Sequence, residues 1–425
     1  MSLLSQADIT ELPSADGGVF AYLFYKDMAV RDASMLSMPA TRLTDMCYFD
    51  MFYQCALLEV APALPATTLA EYCYGNMFYS CTYLVLAPAL PALTLADYCD
   101  QFMFSNCGRL RNAPELPATT LAEYCYQYMF YMCRCLVSPP TVIPAETLAR
   151  YCFYRMFAEC SALASAPEIS ATTMEERSCY LMFGNCKSLM SPPLLSATTM
   201  AKECCYSMFS GCSSLVSAPA LSATTLAARC YLQMFYNCTS LVSAPALPAT
   251  TLATSCYSSM FYGCTSLVSA PTLPATTLAD NCYISMFWGC KSLSSAPVLS
   301  STTLAKSCYA RMFYQCTSLV SAPALPATTL ADNCYQAMFY GCTALTAAPP
   351  SLPATTLVTY CYQQMFYGCS KLGAIKVSHT AWSPTNATSN WVYGVKSAGT
   401  FTCPSGLPQT RGNNYIPSKW TIVTT

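Results

Sequence analysis

Charge is scarce in this sequence: 10% of the residues are Asp, Glu, Lys or Arg, and the formal net charge is −1. A soluble domain typically carries about 25% charged residues, so this surface must be built largely from Ser, Thr, Tyr and Ala. With no basic or acidic excess, capture of nucleic acid or insertion at an anionic membrane is not expected. The hydrophobic residues, 54% of the chain, never gather into a run of about eighteen, so no membrane span is expected either. Histidine is reduced to His379 and no C-x-x-C pair occurs, which argues against a metal centre. A phosphate-binding loop, a dinucleotide fingerprint, an H-E-x-x-H motif and a Ser/His/Asp set are all missing. The expectation is a protein that is not an enzyme and takes no cofactor. The opening MSLLSQADITELPS lacks the basic region and apolar core of a secretory signal, so none is expected in this chain.

What is abundant is repetition. The dipeptide Met-Phe recurs from Met51-Phe52 to Met365-Phe366 in thirteen copies, spaced by 26 residues apart from two intervals of 27. A representative unit is MFYGCTSLVSAPTLPATTLADNCYIS, Met260 to Ser285. The two extra residues fall in SPPTVIPAET and APPSLPATT, Pro-rich stretches where a loop absorbs added length. Thr277 with Asp280, Thr68 with Glu71 and Thr120 with Glu123 have the spacing of capping boxes. They predict a short helix in each unit, from Leu278 to Trp288 in this one, with Gly289 as its stop. At roughly 100° per residue, Leu278, Ala279, Cys282, Tyr283, Met286 and Phe287 share one half of that helix. The stretch CKSLSSAP predicts one short strand with Cys290 and Leu293 inward. A unit of this size cannot bury its own apolar face, but stacked copies can. The predicted fold is therefore an α/β solenoid of about 13 units of 26 residues. Its parallel strands would line the concave side and its short helices the outside, because packed helices need more room than paired strands. Residues 1–20 form an N-terminal cap or anchor in this reading, 21–372 the solenoid, and 373–425 a small β-rich C-terminal cap. That last segment holds three of the four Trp and the only His.

The pattern C-x-x-L-x-x-A-P-x-L-P-x-x-T-L-x-x-x-C-Y-x-x-M-F resembles the BspA-like leucine-rich repeat, with Met-Phe where that family usually shows Ala-Phe. The likeness covers roughly residues 20–372; a longer unit and a second Cys depart from the family. The resemblance implies a leucine-rich-repeat solenoid acting in surface adhesion, as in proteins of gut anaerobes and of bacteriophages that infect them. The partner it implies is a protein or glycan on a cell surface, and the location is extracellular, on a cell surface or on a virion. A phage fibre or receptor-binding protein is the alternative to a bacterial adhesin, and as a fibre it would form a homo-oligomer.

Of the 29 Cys, thirteen follow the Met of each Met-Phe by four positions, and twelve precede that Met by four. Buried free thiols filling small core slots are the simplest account, since Cys is among the most buried residue types. Disulfides between coils, metal clusters and catalytic thiols are the competitors; the odd total and the lone His weigh against them. The Tyr after the first Cys (Tyr74, Tyr126, Tyr231, Tyr257, Tyr283, Tyr335) would form either an exposed stripe for sugars or a column half-buried between coils. Two sets of residues are candidates for ligand binding. One is Thr239, Thr265, Lys291, Thr317 and Thr343, the strand positions just after each ladder Cys, which would face the concave side. The other is Arg109, Arg111 and Arg134, in the less regular units between about residues 99 and 190. Asn237-Cys-Thr and Asn386-Ala-Thr fit a glycosylation pattern by chance.

Overall fold

The structure, a computed structural model, describes residues 20–425; all but the last residue of the proposed N-terminal cap, 1–20, lies outside them. The chain divides into two compact units, Met1–Leu215 and Val216–Thr425. In each unit it winds in coils, and every coil hydrogen-bonds to the one a repeat later. Parallel bridges join Thr68, Thr94 and Thr120 in the first unit, and Ser243, Ser269, Ser295 and Ser321 in the second. Parallel pairing is as expected, but the strands are very short. Only β1 (Val142–Ile143) with β3 (Glu168–Ile169), and β2 (Thr147–Leu148) with β4 (Thr173–Met174), exceed single bridges in the first unit. Proline limits them, since the Ala-Pro-x-Leu-Pro segment lacks N–H donors that a longer ladder would need.

The outer helices are not there: the described residues contain no α-helix. From Ala279 to Cys290 the backbone runs as overlapping β-turns. The N–H groups of Cys282, Ile284, Met286, Trp288 and Cys290 each donate to the carbonyl three residues back, at 3.1–3.2 Å. Those of Asn281, Tyr283, Ser285, Phe287 and Gly289 donate instead to the next coil, at 2.8–3.0 Å. Every fourth residue is left-handed: φ is 57° at Asn281, 56° at Ser285 and 71° at Gly289. Each is the third residue of its turn, where a type II turn requires positive φ. A left-handed non-Gly residue costs on the order of 1–3 kcal/mol and persists only when its surroundings over-determine it. Here the bonds to the next coil do so. The residues expected to form capping boxes also act between coils. Asp280 Oδ1 accepts the N–H of Lys306 at 3.0 Å, and Asp45 and Asp97 accept those of Glu71 and Glu123. The far-ultraviolet circular dichroism of the protein should accordingly lack the helical double minimum; a strong one would overturn this description.

Inside each coil the core is a set of side-chain columns. Cys, Met, Phe and Leu at equivalent positions are fully buried, among them Cys290, Met286, Phe287 and Leu293. The Phe rings stack coil upon coil, with centroids 5.6–5.7 Å apart from Phe235 to Phe366 and 5.1–5.6 Å from Phe24 to Phe209. All 29 thiols are free. The ladder thiols also bond between coils. Cys290 Sγ donates to the carbonyl of Phe261 at 3.1 Å, and Cys133 Sγ to that of Phe104 at 3.0 Å. Each lies 29 residues after its acceptor. A small side chain with a weak donor is what this slot accepts, which is why Cys recurs there.

Residues 373–425 continue the winding of the second unit. Their three parallel strands, β5 (Ala374–Lys376), β6 (Thr400–Cys403) and β7 (Thr421–Thr424), pair in that order. Trp391, fully buried, lies against Tyr362 and Phe366, the last rings of two columns, and its indole N–H donates to the carbonyl of Tyr415 at 2.8 Å. His379 is also buried; burial holds its ring nitrogens well below their usual value, at about 4, so the imidazole is neutral.

Candidate ligand-binding site

Burial decides first which candidates can meet a ligand. The Tyr that follow the first Cys are 1–2% exposed at Tyr74, Tyr126, Tyr231, Tyr257, Tyr283 and Tyr335, so they are columns of the core and the exposed stripe does not form. A different aromatic ladder reaches the surface of the second unit, at the position after Met-Phe. Tyr262, Trp288, Tyr314, Tyr340 and Tyr367 stack at 3.8–5.3 Å and are half-buried. Sugars pack on ring faces, and here each inner ring's faces are covered by its neighbours. The ladder presents edges.

Thr239, Thr265, Lys291, Thr317 and Thr343 stand in one column of the second unit, exposed or half-buried. Thr265 Oγ1 donates to the carbonyl of Thr239 at 3.3 Å, so this hydroxyl serves the stack. The same bond recurs at equivalent positions in the first unit, from Thr82 to Ala56 and from Ser213 to Lys187.

Arg109, Arg111 and Arg134 come together. They line one open cleft of about 420 Å³ with Val85, Cys135, Val137 and Ala162. Register explains the gathering. Tyr83, Arg109 and Cys135 are separated by one repeat each, as are Val85, Arg111 and Val137, so these side chains stand side by side on successive coils. The N–H groups of Val137 and Ser138 both donate to the carbonyl of Arg111. The Arg109 guanidinium lies 3.7 Å from the centre of the Tyr83 ring, which fixes its plane and leaves its edge donors available. None of the three arginines takes part in an ion pair among the described residues. Arg150, by contrast, lies 3.7 Å and 3.9 Å from Glu123 and Glu176, and Arg177 is paired with Glu203. Stacking does not require arginine at these positions, because other coils place Ser266, Val268 and Thr239 there. Cys135 is the only exposed thiol. Its neighbour column partners are Tyr, Arg and Ala rather than a second thiol.

The arrangement offers several unpaired, forked donors over an apolar floor, the chemistry that holds a carboxylate, sulfate or phosphate group. No group of His, Cys, Asp or Glu that could hold a metal occurs among the described residues.

Against known proteins, the sequence matches a family model described as a BspA type leucine rich repeat region, in six copies over residues 157–294, 202–346 and 285–410. A leucine-rich repeat protein from Bacteroides ovatus has a similar structure: TM-score 0.59, 17% identity, 99% of this chain and 94% of that one covered. A leucine rich cell surface protein from Faecalibacterium prausnitzii aligns with a TM-score of 0.34 at 14% identity, over 86% of each chain. No curated protein matches the sequence. The likeness to the Bacteroides ovatus protein bears on the fold alone.

Proposed function

Because this chain belongs to the BspA-type leucine-rich-repeat family, we propose that it is a non-catalytic adhesion scaffold that binds an acidic glycan on a cell surface. The observation that carries this reading is the cleft of Arg109, Arg111 and Arg134, whose guanidinium groups have no carboxylate partner in the described chain. A cleft of about 420 Å³ suits one or two sugar rings, and its apolar floor of Val85, Val137 and Ala162 suits their carbon faces. Specificity would come from the carboxylate or sulfate group. Repetition supplies a rigid frame on which such a site keeps its shape.

The test is binding of the whole protein to immobilised uronate-bearing, sulfated and neutral glycans at rising salt. The acidic glycans should bind and the neutral ones should not, with affinity falling as salt screens the contact. Each charge-assisted bond contributes roughly 1.5–3 kcal/mol, so Arg109→Glu with Arg134→Glu should weaken binding at least about 100-fold. Equal binding of neutral glycans, or an unaffected double variant, sinks the reading. Binding of an acidic peptide in place of every glycan would move the partner to a protein.

A further inference from the structure

One coil of the first unit breaks the buried ring column. Tyr48, Tyr74, Tyr126 and Phe153 occupy equivalent positions at one-repeat spacing, and the residue between Tyr74 and Tyr126 is Asp100. Its side chain is buried, 2% exposed. Oδ2 accepts a weak bond from the Cys99 thiol at 3.5 Å, and Oδ1 has no partner. Beside the carboxyl is a cavity of about 10 Å³ lined by Tyr74, Tyr126, Leu69, Leu90, Leu95 and their neighbours, room for one water-sized group.

Two later coils of the same unit lose the ring as well, at Cys179 and Cys205, and there the core is refilled. Met174 and Met200 stand where the repeat otherwise has Leu, and Met174 Sδ lies 3.7 Å from Cys205 Sγ. Met is the side chain that fills irregular gaps. Around Asp100 the corresponding residues, Leu69 and Leu95, are unchanged, and the gap stays open. A buried, half-satisfied carboxylate in an unfilled slot is costly unless something else completes it. No Lys, Arg or His lines the cavity; the titratable groups around it are the thiols of Cys73, Cys99 and Cys125 and the hydroxyls of Tyr74 and Tyr126.

We propose that this slot binds a primary ammonium group, which pairs with Asp100 Oδ1 between the rings of Tyr74 and Tyr126. The chemistry is a carboxylate at the base and aromatic walls, which together favour a compact organic cation over water. An ammonium ion, or the bare –NH3+ end of a primary amine, is water-sized and matches the space, whereas a fully methylated head exceeds it. The site is independent of the arginine cleft, and failure of either leaves the other standing.

Linkage gives the proposal a pH signature. Burial raises the Asp100 carboxyl from 3.8 to about 7. The folded state therefore holds a proton that the unfolded chain has released, and the free protein loses stability as pH rises from 3.8 to about 7. Above that window the carboxylate is charged and able to pair with the cation.

The experiment follows the unfolding temperature of the full chain while ammonium chloride replaces sodium chloride at constant ionic strength. Above pH 7 the midpoint should rise with ammonium and not with tetramethylammonium, and well below pH 7 the rise should disappear. Asp100→Asn keeps the shape and should abolish the response. Asp100→Tyr restores the ring column, and should melt above the untreated parent while ignoring ammonium. If the parent responds no more than Asp100→Asn, or if both cations act alike, the slot holds water only and the proposal fails.

Discussion

Alkylating the native protein should modify Cys135 and leave the other thiols untouched, whereas alkylation after denaturation without reductant should label all 29. Cys135 is the one exposed thiol; the rest are buried. Two effects protect them. A reagent needs access, and access to Cys290 or Cys316 requires a coil to separate from its neighbour, breaking the cross-coil bonds of the turn face. The reagent also needs thiolate, and burial pushes these thiols up: Cys47 to about 12, and Cys290 well above its ordinary value of 9.0. For an opening free energy near 4 kcal/mol the buried thiols would react roughly a thousand times more slowly than an exposed one. Intact mass reads both results directly. A denatured protein that takes up few labels would mean that disulfides staple the coils, and the S–H bonds from Cys to the Phe carbonyls would then be wrong.

The same columns show how much of this molecule could be read from its sequence. The repeat, the parallel stacking and the inward Cys, Met, Phe and Leu follow from spacing alone, because a 26-residue register puts like residues on top of one another. The helix did not follow, although the arc of Leu278, Cys282, Met286 and Phe287 suggested it. Over eleven residues a period of 3.6 and a period of 4.0 select almost the same positions. Two features separate them. Cys282, Met286 and Cys290 are spaced by four, with no drift toward three. The residue before each ladder Cys is repeatedly Asn or Gly, as at Asn106, Asn185, Asn237, Gly263, Gly289 and Gly341, the types that tolerate positive φ. Arg109, Arg111 and Arg134 were legible as candidates because the units between about residues 99 and 190 are less regular and rich in arginine, and register then places them in one cleft. Asp100 was equally visible, as an Asp where the repeat has Tyr. Its meaning is not local, because it depends on what Leu69 and Leu95 do in reply.

The largest stability effect is expected from the Phe column, and its size should depend on position. Phe104 is fully buried, with Phe78 and Phe130 stacked on its two faces at 5.6 Å each. Phe104→Ala removes a ring from both coil interfaces and leaves a void that the turn backbone cannot close, since its N–H groups are tied to the next coil. A buried Phe→Ala change costs about 3–5 kcal/mol. Phe24, the first ring of that column among the described residues, has one stacked neighbour there, Phe52 at 5.1 Å, and is half-buried. Phe24→Ala should cost well under half as much. The comparison separates two ways of holding a solenoid together. If stability is a sum of coil interfaces, an interior change weakens two of them and an end change one. Guanidinium unfolding of the two variants decides, followed by tyrosine fluorescence. Equal midpoints would mean that the ring column is filler, and that the turn-face hydrogen bonds carry the stack.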